Sequence, residues 1–320
     1  MDFENFYNSK IEPSLPELRT DAKRLDSWGY IGLVFGLGIF GCIVCYFGEI
    51  FSGQTTVIMV LVCIAMLSYS VYKYANQKDA FGDDLKSSII KTIIKEICPQ
   101  AVYQPDEGIS EHDYKWSSLF RYRYDYYDSD DLIKGKFEGV PFKCAEISTQ
   151  YDGSGDERGQ FDGTNRNAQS TIFKGLFFCI PINKRFTGGT YVWPVDQVQL
   201  SATIFDEEDR FFPMPNVNNF ATDDPAFEEE FTACTTMPNQ AMELLDEKMR
   251  YEMLWLQKNL NRHIAFSFVN GICYIAVTIH RDLLEPSDYD PGDKIEIKKY
   301  YNTVAVIPYV LKALDFKRLL

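Results

Sequence analysis

Residues 29–48 read GYIGLVFGLGIFGCIVCYFG, and residues 55–72 read TTVIMVLVCIAMLSYSVY. Neither stretch holds a charged side chain. At ~1.5 Å rise per residue, a helix of about 20 residues covers roughly 30 Å, the hydrocarbon thickness of a bilayer. The connection Glu49–Gln54 is too short for a domain, so the pair reads as a transmembrane helical hairpin, about 29–51 and 55–74. Two buried helices of a soluble core are the alternative. Two adjacent uncharged runs of spanning length are rare in such cores, which favours the hairpin. A secretory signal does not fit, because the first run starts late, is too long and lacks a small-residue cleavage site.

Working outward, Lys10, Arg19, Lys23 and Arg24 precede the first run, and Lys73, Lys78, Lys86, Lys91 and Lys95 follow the second. The connecting loop has no Lys or Arg. The positive-inside rule then places both termini in the cytoplasm of a multi-pass protein of the cell (inner) membrane. Trp28, Tyr30, Tyr72 and Tyr74 lie where interfacial aromatics are expected. The organisation expected is a cytoplasmic segment 1–28, a hairpin 29–74 and a cytoplasmic α+β domain 75–320.

The composition supports a packed domain. Of 320 residues 46% are apolar, and the formal net charge is −14. That acidity opposes general nucleic-acid binding, which needs a basic footprint. Eight cysteines are scattered without a regular framework, which suits a reduced compartment.

Two motifs in the first span are set aside. Gly36-Leu37-Gly38-Ile39-Phe40-Gly41 matches the dinucleotide fingerprint, but it lies inside a spanning run without the strand-to-helix turn that motif requires. Cys42 and Cys45 match C-x-x-C, with no second pair or His nearby to complete a zinc site. Gly32, Gly36, Gly41, Cys45 and Gly48 instead form a small-residue surface. It suits packing against the second span, with self-association as the sharper reading.

In the remaining chain, Asp83 or Asp84 is expected to cap a separate helix through Ile97, ended by Pro99. A short helix is expected over 110–120. Residues 131–137 and 142–150 read as a hairpin, and 171–182 and 190–193 as buried strands around Gly188-Gly189. Residues 151–170 and 206–229 read as loops, and 231–235 as a strand. One helix is expected from Pro238 to Leu260, on the stripe Met242, Leu245, Met249, Met253, Leu256 and Leu260. Asn270-Gly271 between apolar runs signals a hairpin of 264–269 and 272–279. A last helix starts near Ile295, with Pro308 inside it. Strands mixed with terminal helices give an α+β class.

Five stretches together resemble the bacterial membrane family known as domain of unknown function 3137. They are Phe6-Tyr7 with Ile11, Pro13, Leu15 and Arg19; Tyr103-Gln104-Pro105 with Gly108-Ile109-Ser110 and Ser118-Leu119-Phe120; and Phe173-Lys174-Gly175-Leu176-Phe177-Phe178. The others are Phe227-Glu228 with Phe231, Ala241 and Leu244-Leu245, and Phe266-Ser267-Phe268 with Asn270-Gly271 and Leu284-Glu285-Pro286. The resemblance covers nearly the whole chain, departing around 206–225. It implies a cytoplasmic domain on a membrane hairpin and no particular activity.

Chemistry-bearing residues are sparse. His112-Asp113 suggests a phosphohydrolase dyad, but the further metal ligands of that chemistry are missing from the pattern, so an exposed helical pair is preferred. His263 and His280 bracket the last hairpin, where zinc would need two more ligands than Cys273 offers. Residues 152–157 resemble a calcium loop without its spacing of acids. Arg121-Tyr122-Arg123-Tyr124-Asp125-Tyr126-Tyr127 interleaves bases and aromatics; its acids favour an edge strand or an aromatic surface for a partner over a nucleic-acid site. The phenylalanines of 173–178 add to that expectation of protein recognition. No catalytic, cofactor or metal residue is assigned. The reading is a non-enzymatic anchored module that binds protein partners or itself. The alternative is a membrane-bound metal-dependent hydrolase using loop carboxylates and His112. A transporter fits less well, because neither uncharged run, 29–48 or 55–72, holds a carboxylate or a base.

Overall fold

Polar Asn-Gly and Glu-Gly pairs decide where the chain reverses in the computed structural model. It describes residues 3–48, 50, 52–151, 170–183, 186–200, 217–279, 283–284 and 293–320. Two compact units form: Met1–Thr92 with Glu285–Tyr301, and Ile93–Leu284 with Asn302–Leu320.

The first unit is helical. A short helix α1 (Phe3–Phe6) and two further turns lead into α2 (Leu15–Phe47), which is followed by α3 (Gly53–Ile97). Within them, Ser27–Phe47 and Gly53–Asn76 are long and apolar enough to cross a membrane. The two helices touch through small residues. Ser70 Oγ donates to the Trp28 carbonyl at 2.5 Å, and a Cβ built on Gly32 would stand 3.2 Å from that hydroxyl oxygen. Gly38 faces Cys63, whereas Gly36 and Gly41 face open space. Only part of the glycine stripe therefore serves the α2–α3 contact. Tyr301, on the first half of α8 (Lys294–Ala313), packs its ring against Phe3 and Phe6 with centroids 5.5 and 5.2 Å away. Lys294 pairs with Glu4 at 2.6 Å.

One expectation fails here. No separate helix starts at Asp83 or Asp84; α3 runs unbroken from the apolar stretch to Ile97. No proline interrupts residues 73–97, and a cap is needed only where a chain enters a helix.

The second unit is built on one nine-stranded antiparallel sheet. Its strands are β1 (Ala101–Gln104), β2 (Tyr126–Phe137), β3 (Val140–Tyr151), β4 (Ser170–Pro181), β5 (Gly189–Pro194), β6 (Asn218–Asn219), β7 (Phe231–Thr235), β8 (Ile264–Val269) and β9 (Ile272–Thr278). Their spatial order is β1-β2-β3-β4-β9-β8-β5-β7-β6. Glu138-Gly139 closes β2–β3 and Asn270-Gly271 closes β8–β9. All four turn residues have positive φ, the type I′ geometry that matches strand twist. Every residue of β8 is buried, so both its faces are covered and the hairpin takes the middle of the sheet. It thereby separates β4 from β5, which the sequence had placed together around Gly188-Gly189.

Besides the second half of α8, the unit holds α4 (Glu111–Ser117), α5 (Pro225–Glu230), α6 (Pro238–Leu244) and α7 (Glu247–Leu260). Residues 225–230 are thus helical where a loop was expected. The single helix expected over 238–260 is broken in two. The break has a local cause: Asp246 leaves helical geometry, and its side chain accepts from the Met249 amide at 2.8 Å. The expected loop 151–170 and the acidic stretch 201–216 lie almost wholly outside the described residues.

Helix α4 covers one face of the sheet. Tyr114 is fully buried among Phe120, Phe173 and Phe177, and its hydroxyl shares a hydrogen bond with Thr149 at 3.0 Å. The motif at 121–127 joins this packing. Arg121 is buried, Tyr124 and Tyr127 rest on the cluster, and the Tyr127 hydroxyl donates to the Ile109 carbonyl at 2.7 Å. Phe173, Phe177 and Phe178 are also core. The partner surface expected at these aromatics is therefore mostly interior, with Tyr126 the exposed exception at 52%.

Candidate functional site

Helix α7 buries Met249, Met253 and Leu256 and so turns its other face outward. On that face Tyr251 is 67% exposed and Trp255 38%, one turn apart. The Trp255 ring stacks on Tyr309 at 5.0 Å, which fixes the indole without covering it. Opposite stands the end of α5. Asp224 caps α5 by accepting from the Phe227 amide at 3.2 Å and takes the Arg250 Nε hydrogen bond at 2.9 Å, tying α5 to α7. The Arg250 side chain holds the Asp224 carboxyl below its usual range, by hydrogen bond first and by charge in support.

Between them lies a groove of about 880 Å³. Val195, Leu254, Tyr251 and Trp255 supply apolar surface; Asp196, Glu229 and Glu230 supply acids; Lys258, Arg262 and His263 supply bases. Gln257 braces it, donating to Glu230 at 3.1 Å and accepting from the Ile264 amide at 3.4 Å. His263 Nδ1 is 3.2 Å from Asp196. Two aromatic side chains beside acids and bases suit the groove to anchoring and charge pairing.

The residues singled out from the sequence are dispersed. His112 lies on α4 with its side chain 77% exposed, stacked on Trp116, and 4.0 Å from Asp113. His263 lines the groove, while His280 and the calcium-like segment 152–157 lie outside the described residues. Among the described residues, Asp130, Asp131 and Glu146 do bring carboxylate oxygens within 4.8 Å of one another. These are strand residues, not loop carboxylates, and His112 is not one of the three. Asp131 sits at a bulge in β2 with φ 56° and accepts from the Tyr103 hydroxyl. Glu146 accepts from the Leu283 amide at 3.2 Å. Three convergent acids are a donor set suited to a hard cation.

Sequence reasoning missed the groove. Its signal was an aromatic pair at i and i+4, Tyr251 and Trp255, off the apolar stripe of α7.

Residues 171–316 match the family DUF3137. Its description is "Protein of unknown function". The matched segment runs from β4 into the last turn of the chain and contains the whole groove, while the acidic triad lies before it. The match is thus shorter than the near full-length likeness read from the sequence. No curated protein sequence matches this chain. Among solved structures, the mycobacterial trehalose monomycolate transport factor A, TtfA, aligns over 72% of this chain and 96% of its own, at 8% identity and a TM-score of 0.34.

Proposed function

We propose that this chain is an integral membrane protein whose two apolar helices cross the bilayer as a hairpin, and whose α+β unit is a binding module that docks protein partners in the α5–α7 groove. The observation that carries the docking part is the groove itself, with two outward aromatics between acidic and basic walls. Aromatic anchors ringed by charge are the usual makings of a protein-binding surface.

The hairpin has an energetic argument. Leu33, Val34, Leu37, Phe40, Val57, Ile58, Leu61 and Val62 are each more than half exposed. Leaving them in water would cost about 1 kcal/mol apiece, or about 8 kcal/mol together. That equals a typical domain's whole stability of about 5–15 kcal/mol, whereas lipid removes the penalty. Lys and Arg flank the pair on both outer sides, so both termini and the binding unit belong in the cytoplasm. The contact of Phe3 and Phe6 with Tyr301 agrees, since it joins segments flanking the hairpin. Self-association would use Gly36 and Gly41, the glycines not filled by α3.

Reporter fusions at both termini test the topology; signal from the extracytoplasmic side at either end would overturn it. For the groove, a photo-crosslinking residue at position 251 should capture one reproducible protein, and Trp255→Ala should abolish that adduct. Equal capture with and without Trp255 would refute docking at this surface.

A further inference from the structure

A second feature lies on the sheet face that α4 covers. Lys134 on β2, Lys143 on β3, Cys179 on β4 and Tyr274 on β9 are successive cross-strand partners, so their side chains share one face in a single row. The row borders a cavity of about 260 Å³, to which α4 contributes Asp113 and the strands contribute Pro181 and Ile272, cross-strand partners on the same face, as apolar wall. At ~30 Å³ per water this space equals about nine water volumes, too small for a nucleotide or a lipid and enough for a small metabolite.

Three groups there call for partners. Tyr274 is completely buried, and its hydroxyl has no hydrogen-bond partner among the described residues. Native interiors rarely leave such a group unmatched. Lys143 is exposed and has no ion-pair partner among the described residues, whereas Lys134 is held by Glu107 at 3.3 Å. Among the described residues, the ion-pair contact of Asp113 is the distant His112 nitrogen at 4.0 Å. Asp113 and Lys143 act on the same thiol: burial first, and then Asp113, push the Cys179 pKa up, while Lys143 pulls it down. The two opposite charges line the same cavity as Cys179 and Tyr274. Adjacent strands are ~4.8 Å apart, so Lys143 and Tyr274 flank Cys179 at one strand spacing each.

We propose that this cavity binds a free α-amino acid with an apolar side chain: the carboxylate lies over Cys179 and accepts from Lys143 and the Tyr274 hydroxyl, the ammonium pairs with Asp113, and the side chain rests on Pro181 and Ile272. With Lys134 already paired to Glu107, Lys143 and Asp113 present one positive and one negative group to the cavity, which match a zwitterion better than a simple acid or amine. The apolar wall favours leucine or phenylalanine over charged amino acids.

The test is calorimetric titration of the full chain in detergent with L-leucine and L-phenylalanine, alongside 4-methylpentanoate and isoamylamine, which each lack one charge. At least one amino acid should bind below about 1 mM, with both single-charge analogues about tenfold weaker or worse. Tyr274→Phe and the surface variant Lys143→Met should each weaken the amino acid about tenfold. Tyr274→Phe should leave the thermal midpoint of the unliganded protein equal or higher, because it removes an unmatched buried hydroxyl. Lys143→Met keeps the test valid if the tyrosine variant fails to fold. Absence of binding by both amino acids at about 10 mM, equal binding of 4-methylpentanoate, or unchanged affinity in Lys143→Met would overturn the proposal.

Discussion

Gly175 sits in β4 opposite Thr278 of β9, in the middle of the sheet. A Cβ added there would stand 2.1 Å from the Val277 carbonyl oxygen and 2.8 Å from the Ile279 amide nitrogen. An ordinary close carbon–oxygen contact is about 3.3 Å, so Gly175→Ala forces the two strands about 1.2 Å apart locally. The neighbouring ladder bond from the Ile279 amide to the Lys174 carbonyl, now 2.7 Å, would pass out of hydrogen-bond range. Forced repacking costs about 1–3 kcal/mol and each ladder bond about 1 kcal/mol, for a total of about 2–4 kcal/mol. In a unit of this size that lowers the thermal midpoint by about 5–15 °C. Tryptophan fluorescence of the full chain in detergent, heated through unfolding, would read it. Gly36→Ala is the control, since nothing lies within 4 Å of its added Cβ. A Gly175→Ala midpoint within about 2 °C of wild type would show that β4 and β9 are not paired in this register.

Asp246→Asn should keep the α7 cap but lose the Arg318 charge pair, now 2.6 Å, and cost about 1 kcal/mol or less; Asp246→Ala loses both and should cost about 1–3 kcal/mol in the same melt. Because Arg250 depresses the Asp224 pKa, its stabilising share is complete above the unfolded carboxyl value and disappears as pH falls through the lower folded one. The midpoint difference between wild type and Asp224→Asn should therefore be full at pH 6 and shrink below about pH 4. Gly32→Val should loosen the helix pair by crowding Ser70, measured as a lower melting point in detergent, whereas Gly36→Val, which meets nothing within 4 Å, should leave that melt unchanged. Burial pushes the Cys98 thiol up to about 12, so it should resist iodoacetamide at pH 8 until denaturant is added.

The fold was legible where local chemistry alone decides it. Asn270-Gly271 fixed a hairpin because both residues accept positive φ at little cost, and the structure has it residue for residue apart from the strand end. Legibility failed where a local signal competes with another of the same kind. Asp83 and Asp84 carry a capping residue type but lie inside α3, whereas Asp246 interrupts an apolar stripe and does cap a helix. The groove was unreadable as a site because α5 and α7 are brought together by Asp224 and Arg250, residues 26 apart in the chain.

From the sequence alone came the apolar hairpin, the α+β class and the Asn270-Gly271 turn, because hydrophobic run length, periodicity and backbone φ preferences act over a few residues. Tertiary structure alone decided the strand order, which sets β8 and β9 between β4 and β5, and packed Tyr124, Tyr127, Phe173 and Phe177 into the core cluster. It also brought Asp113, Lys143 and Tyr274 around one cavity. Those outcomes depend on which buried faces cover one another across long stretches of chain, a competition among non-local contacts that no short stretch of residues encodes.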